Sequence, residues 1–445
     1  MAGQLLVLGG EGDRVTCIGM ALEGCRVLLD VGQIEGWTPE DNSRLIGCMI
    51  RNVLRKKAGI VSLVGLLSAG ALPSLDALAV DVRPERVPEG GLQPDALVDA
   101  QGRAHLIYLS GDPKAADIHC VSRESGRGAG RGEWSRPQTV NSEAGAAVAI
   151  GSVRGARLAL GGSGILHVVW NGSSKVPATA AGSAPLLYSR SKPSGEGFEP
   201  QRALGGTTRH LDGGASVAAD GKGTVWVVWH AALPTPPAGG DDEAHRAVFL
   251  SVSRDEGRTF DAPRRIDPPG MGVCACCGLD AGIGPDGSGW VFVRGAAGKS
   301  QRGMQLLTAG AGSLDFQRRA LDSWDLNQCP MSTTRLSWFG GRSLAVWLSE
   351  GRIRLGRMGG TDSVRAVSES GRKANHPVVV PLEGSGSLVV AWTEGTAWQR
   401  GGDLAWRTVG ADASQDSPVQ RLPGVPVWGS VAAWREADGH VTVVY

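Results

Sequence analysis

The chain has 445 residues, enough for two ordinary domains or one large repetitive one, and its 42% hydrophobic and 20% charged content is that of a globular protein. With 45 Lys and Arg against 44 Asp and Glu, the net charge of +1 lacks the basic surplus of a general nucleic-acid binder. The 67 glycines, without a collagen period, require many tight turns and argue against a helical bundle.

From Met49 the chain reads MIRNVLRKKAGIVSLVGLLSAGALPSLDALA. Arg51, Arg55, Lys56 and Lys57 are followed by the apolar run Ala58 to Leu72, the breaker Pro73 and an A-x-A pattern at Ala77-Leu78-Ala79. That is the layout of a secretory signal, and the apolar run is short for a membrane span; the alternative is a buried helix. Residues 49–79 are therefore expected to be a cleaved signal peptide, leaving no stable membrane span. Residues 1–48 become an extension ahead of a translation start at Met49. Within them, GGEGDRVTCIGMALEGCRVLLDVG resembles the opening strands of metallo-β-lactamase-like hydrolases, but no HxHxDH follows and no function is carried over. Export places the chain from Val80 onward in the periplasm or outside the cell. Of eight cysteines, Cys17, Cys25 and Cys48 are then lost, and Cys120, Cys274, Cys276, Cys277 and Cys329 remain. In an oxidising compartment such cysteines form disulfides or hold metal.

From residue 96 onward a unit repeats: a short strand, a Gly-containing turn, then a strongly apolar strand often ending in Trp. It reads ALVDAQGRAHLIYLS (96–110), ARLALGGSGILHVVWNG (156–172), ASVAADGKGTVWVVWHA (215–231), AGIGPDGSGWVFVRGA (281–296), TRLSWFGGRSLAVWLSEG (334–351) and PVVVPLEGSGSLVVAWTEG (377–395). A seventh, SVAAWREADGHVTVVY (430–445), is partial. Asp-Gly, Gly-Gly and Gly-Ser pairs are hairpin turns. Runs such as Val225 to Trp229 are apolar on both faces, as strands between neighbouring sheets must be. A period of about 40 to 60 residues matches a four-stranded propeller blade. The spacing predicts an all-β, six-bladed propeller over 80–445, with a seven-bladed ring as the alternative. In either, the segment 430–445 is expected to pair with Val80 to Val87, because closure removes an exposed edge.

A second hairpin follows in several units. The clearest is Ser253-Arg254-Asp255-Glu256-Gly257-Arg258-Thr259-Phe260; degenerate copies begin at Ser122, Ser189 and Thr308. In this turn the Ser and Asp oxygens accept turn N–H groups, Gly takes positive φ and the aromatic ring plugs the blade. Asp255 is thus read as structural. The pattern S-x-D-x-G-x-x-F is that of the Asp-box, or bacterial neuraminidase repeat, and from about residue 80 the chain resembles the sialidase-like β-propeller family.

Loops leading into the innermost strands, and loops between second and third strands, share one face of a propeller. The first kind carries His210 and Asp212, Cys274-Ala275-Cys276-Cys277, Cys329-Pro330-Met331 and His376; the second carries Asp241, Asp242, Glu243 and His245, then Arg302, then Glu394, Trp398 and Arg400. All are expected to converge on one rim. Cys274, Cys276, Cys277 and Cys329, with His210 and His376, form a candidate site for a soft metal, copper or zinc. A disulfide pinning adjacent blades, for example Cys274 or Cys276 to Cys329, or thiol redox chemistry, stays open. Cys120 is read as a buried small residue.

The resemblance implies an arginine cluster, a Tyr nucleophile with a Glu partner, and an Asp acid/base. Glu85-Arg86-Val87-Pro88 partly matches the F/Y-R-I-P motif that carries the family's first arginine. Tyr108, Tyr188 and Tyr445 do not sit where a nucleophile is needed. The leading expectation is a ligand- or metal-binding rim without that nucleophile. The alternative is an exo-glycosidase on extracellular glycans, with Asp241, Asp242, Glu243 or Glu394 as carboxylates and Arg86, Arg302 or Arg400 as anion holders. A platform for a protein partner is the third reading. Trp398 and Trp428 are candidates for stacking on a sugar ring, and a monomer is expected.

Overall fold

The structure, a computed structural model, describes residues 80–445 apart from 125–131, 180–181, 236–241, 299, 340, 360–362, 383 and 411–414, together with the backbone of three strands near the start of the chain. Contacts divide the chain into two units, Met1–Ala77 and Leu78–Tyr445. In the first, strands Gln4–Leu8, Arg14–Glu23 and Arg26–Glu35 form a three-stranded antiparallel sheet. The signal-like segment 49–79 lies outside the described residues, as does Asp241. No described helix is long and apolar enough to cross a membrane.

The second unit is a ring of seven sheets. Blades 1 to 6 each have four antiparallel strands in sequence order, and blade 7 has three. The innermost strands are Leu92–Val98, Arg157–Leu160, Ser216–Ala219, Asp280–Ile283, Thr334–Phe339, Ala374–Pro381 and Ala432–Arg435. The expectation of six blades is corrected to seven. Residues 430–445 do not complete blade 6, which already has its fourth strand in Gln420–Val425. Instead Ala432–Arg435 and Val441–Val444 form their own sheet, and Val82–Glu85 adds to it in parallel, Val441 opposite Val82 and Val444 opposite Glu85. The expected pairing of 430–445 with the segment after residue 80 is present, and it closes the ring.

Hydrophobic cores fill each of the seven interfaces between neighbouring blades. This explains the two-sided apolar strands. In Val225–Ala232, Val225, Val227 and Trp229 pack towards blade 2, while Trp226 and Val228 pack towards blade 4. Trp170, Trp229, Trp347 and Trp392 occupy the second strands of blades 2, 3, 5 and 6 and are fully buried. Their indole N–H groups are satisfied in three cases, by Thr208, Asp322 and Glu394. Inner hairpins are fixed by their aspartates. Asp220 Oδ1 accepts from the N–H groups of Lys222 and Thr224, with Gly221 at φ 70°.

The Ser253–Phe260 turn between the third and fourth strands of blade 3 has the geometry its residues require. Ser253 Oγ accepts from Gly257 N at 2.8 Å, Asp255 Oδ1 accepts from Thr259 N at 2.8 Å, and Gly257 sits at φ 71°. Phe260 packs edge-on to Tyr188 of blade 2 at 5.0 Å. Burial pushes the Asp255 carboxyl up, but the bonds from Thr259, Ser253 and Arg258 outweigh it and hold it at about 2. Asp255 is structural in this fold.

Candidate functional site

Because strands alternate in direction, loops leading into the innermost strands and loops joining second to third strands lie on one face. Backbone strain gathers there. Among the described residues, ten non-glycine residues have positive φ, and all but Glu256 lie on this face. Ser152, His210, Met331 and Trp428 occupy the inbound loops of blades 2, 3, 5 and 7, and Gln93 and His376 sit at irregularities near the start of the innermost strands of blades 1 and 6, all at φ between 48° and 60°. Left-handed backbone costs about 1–2 kcal/mol per non-glycine residue and persists where surrounding structure enforces it, often at ligand sites.

Two features occupy this face. The first is a pocket of about 390 Å³ whose walls include Ser152, Trp324, Cys329, Met331, Lys373, Asn375, His376, Trp398 and Trp428. Trp398 is 53% exposed and meets Trp428 edge-on at 6.4 Å. Asn375 Nδ2 donates to the Met331 carbonyl at 3.2 Å, tying blade 6 to the inbound loop of blade 5. Burial pushes the His376 imidazole down to about 4, so it stands neutral in the wall, 3.3 Å from Thr333 Oγ1.

The second is the cysteine centre. A turn closed by Cys277 N to the Cys274 carbonyl at 3.5 Å brings the sulfurs together. Cys274 Sγ lies 3.5 Å from Cys277 Sγ and 3.8 Å from Cys276 Sγ, and the three sulfurs all fall within 4.8 Å of one another. Cys276 is disulfide-bonded to Cys329, with Cα atoms 6.5 Å apart, so the bond pins the inbound loops of blades 4 and 5. Cys274 and Cys277 are free and buried; so is Cys120, as its strand position suggested. Cys274 donates to Cys277 and is buried, which raises its thiol. Burial would raise Cys277 as well, but the bond from Cys274 and the Arg294 guanidinium pull it down.

The turn is held from beneath. Glu243 accepts from Ala275 N at 2.7 Å with one oxygen and from Arg302 at 2.5 Å with the other. Arg294 donates to the Arg302 carbonyl and sits over the Trp324 ring, 5.2 Å from its centroid. His230 reaches the Cys277 carbonyl at 2.8 Å; burial first, and the Arg246 charge second, press its pKa down to about 3.

The structure brings together only part of the predicted set. Cys274, Cys276, Cys277 and Cys329 do converge. His210 and His376 do not join them: among the described residues the cluster holds cysteines alone, and the His376 ring, in the pocket wall, contacts Thr333. The described members of the predicted catalytic set are dispersed, and none of them lines the pocket. Asp242 caps the turn Glu243–His245 through His245 N. Glu243 and Arg302 clamp the cysteine turn. Glu394, 2% exposed, is held by Trp392 and by Arg421 at 2.8 Å. Arg86 contacts the Gly424 carbonyl and the Tyr445 ring at the outer edge. Arg400 donates to the Gly395 carbonyl and shapes the loop that carries Trp398.

Sequence reading missed a ring of charge on the axis. Arg157 Nη2 bonds Asp280 at 2.6 Å, Arg335 Nη2 bonds Asp95 at 2.8 Å, and Arg157 Nε lies 3.6 Å from Asp95. Acid and base alternate on the innermost strands of blades 1, 2, 4 and 5, at places where other units carry Ser216 or Val378. That contrast was the available signal.

No protein-family model matches the sequence, and no curated protein does. Among solved structures, a Hadza microbial sialidase is similar at 13% identity over 74% of this chain and 73% of its own, with a TM-score of 0.46. A leech intramolecular trans-sialidase is similar at 8% identity over 76% and 79%, TM-score 0.45. A Penicillium chrysogenum alpha-L-arabinanase in complex with arabinobiose is similar at 12% identity over 78% and 98%, TM-score 0.44. All three TM-scores lie below 0.5, and the all-β, seven-bladed ring stands on the strand pairing itself.

Proposed function

We propose that the protein is an exported, sialidase-like propeller that binds a soft metal ion, copper(I) or zinc(II), at its cysteine-rich rim, without using the family's tyrosine nucleophile. The observation that carries this reading is the approach of the Cys274, Cys276 and Cys277 sulfurs to within 4.8 Å of one another. Thiolate sulfur is the donor these ions prefer. With the Cys276–Cys329 bond reduced, Cys274, Cys276, Cys277 and Cys329 offer four sulfurs, and a bound ion would join blades 4 and 5 there. Glu243 and Arg302 fix the turn that orients them. The disulfide supports an oxidising compartment, the periplasm or the cell exterior.

The pocket beside the cysteines supports a second ligand class. An indole as exposed as Trp398 beside Trp428 offers a face for a sugar ring. With no carboxylate in the described wall, the geometry favours glycan binding over cleavage. The deciding experiment is metal content and free-thiol count on protein purified without chelator, before and after mild reduction. Stoichiometric copper or zinc that disappears in Cys276→Ser/Cys277→Ser supports the metal reading. Absence of metal in both states overturns it and leaves the pocket as the functional element.

A further inference from the structure

Four sulfurs sit in two layers. The outer layer is the Cys276–Cys329 disulfide, with Cys329 exposed in the pocket wall. The inner layer is the pair Cys274 and Cys277, both thiols and both buried. Cys274 is the hinge between the layers, 3.8 Å from Cys276 Sγ on one side and 3.5 Å from Cys277 Sγ on the other. A turn closed between residues i and i+3 holds its end Cα atoms within about 7 Å, a span a disulfide can bridge.

We propose that the four cysteines form an internal thiol–disulfide relay with two covalent isomers, in which the bond moves between the outer pair Cys276–Cys329 and the buried pair Cys274–Cys277. Cys274 passes its proton to the Cys277 sulfur it already bonds and, as a thiolate, attacks Cys276 Sγ. The Cys276–Cys329 bond breaks, and Cys329 leaves as a thiolate that takes up a proton. The Cys277 thiolate then attacks Cys274 Sγ, forming Cys274–Cys277, and Cys276 leaves and is protonated. One disulfide is consumed and one is made. The two protons lost by Cys274 and Cys277 are regained at Cys276 and Cys329, and neither oxidant nor reductant is needed.

The two isomers differ in function because they differ in tether. In the first, Cys329 ties the inbound loop of blade 5 to blade 4, and that loop carries Pro330 and Met331 in the pocket wall. In the second the tether is gone and Cys329 presents a free thiol at the pocket. The relay thus makes the pocket wall covalently adjustable and places a reactive thiol beside whatever the pocket holds. It depends on the sulfur geometry and stands independently of metal binding.

The test uses the full chain after chelator treatment, equilibrated in glutathione buffers of graded poise, quenched in acid, alkylated and mapped by peptide mass spectrometry. In singly oxidised chains both connectivities are expected, and their ratio should not change with buffer poise, because the isomers have the same oxidation state. The fraction with Cys329 alkylated should match the fraction with Cys274–Cys277 bonded. Cys274→Ser should lose the inner disulfide and hold every oxidised chain as Cys276–Cys329. The relay is overturned if wild-type chains show only Cys276–Cys329 at every poise, with Cys274 and Cys277 always alkylated. It is also overturned if the isomer ratio tracks the buffer. The wild-type map needs no variant, so a folding defect in Cys274→Ser does not blunt the result, and metal content is measured separately.

Discussion

Arg157 on blade 2 reaches Asp280 on blade 4 at 2.6 Å, bypassing blade 3 to cross the axis of the ring. Asp95 on blade 1 makes the corresponding contact with Arg335 on blade 5 at 2.8 Å. Asp280 also accepts from Ser216 of blade 3 and from Leu336 N of blade 5, so one carboxylate ties three other innermost strands to its own. The four charges give the otherwise open centre a fixed set of partners.

Removing Asp280 leaves two largely buried cations, Arg157 and Arg335, to share the single carboxylate of Asp95. Asp280→Ala is expected to cost about 3–5 kcal/mol in urea unfolding. Arg157→Met/Asp280→Leu, which removes the pair together, should cost less than either single change. A double-variant loss equal to the sum of the two single losses would show that the pair is not coupled.

The buried tryptophans make a similar demand on packing. Trp229, with its ring against Phe249 and its N–H on Thr208, fills the interface between blades 2 and 3. Trp229→Ala should lower stability by about 3–5 kcal/mol, read from the urea midpoint at unchanged slope. A loss below about 1 kcal/mol would mean that the blades collapse around the vacancy.

Acid should weaken the fold well before its carboxylates titrate. Burial presses His230 to about 3, with the Arg246 charge adding to the effect, and burial presses His376 to about 4. In the unfolded chain both gain a proton as pH falls through about 6.5, whereas the folded chain resists it. The stability tied to their neutral forms is therefore whole above about pH 6.5 and drains away as pH falls towards 4. The urea midpoint is expected to drop between pH 7 and pH 5, and His230→Gln should flatten that slope. A flat wild-type profile across this range would contradict the assignment.

Ligand binding in the pocket can be separated from stability through Trp398, because so exposed a ring holds little of the core. Trp398→Ala is expected to weaken binding of a neutral oligosaccharide about tenfold, within the range for losing one aromatic contact, while leaving the thermal midpoint unchanged. Isothermal titration against a panel of oligosaccharides checks this. Equal affinity in wild type and variant would remove the indole from the site.

Much of the architecture was legible because it is written locally. Asp220-Gly221 and Ser253 to Phe260 encode turns through their own side chains, and the Val225 to Trp229 run declares two buried faces. The convergence of the Cys274 and Cys329 loops followed from strand alternation alone. What could not be read was anything that depends on a partner far along the chain. Glu394 and Arg302 looked like rim groups, yet their side chains turn to Arg421 and Glu243. Asp95 and Arg335 lie on different blades, and only the closed ring brings them into contact. The number of blades was ambiguous for the same reason: the third strand of the last blade, Val82–Glu85, comes from before the first.

That arrangement has a consequence for how the ring is made. Blade 7 takes its two inner strands from the last part of the chain and its outer strand from just ahead of blade 1, so no subset of consecutive blades contains a closed interface at both sides. During synthesis, blades 1 to 6 emerge as an open arc whose end faces expose apolar residues, later buried by Ala432, Trp434 and Val444 on the blade 1 side and by Val431, Val441 and Val443 on the blade 6 side. The arc becomes a ring only when Val441–Val444 reach Val82–Glu85. Closure of the ring is thus gated by the last of its seven blades to be made, and the interval before that blade docks is when the open arc is most exposed to aggregation and proteolysis.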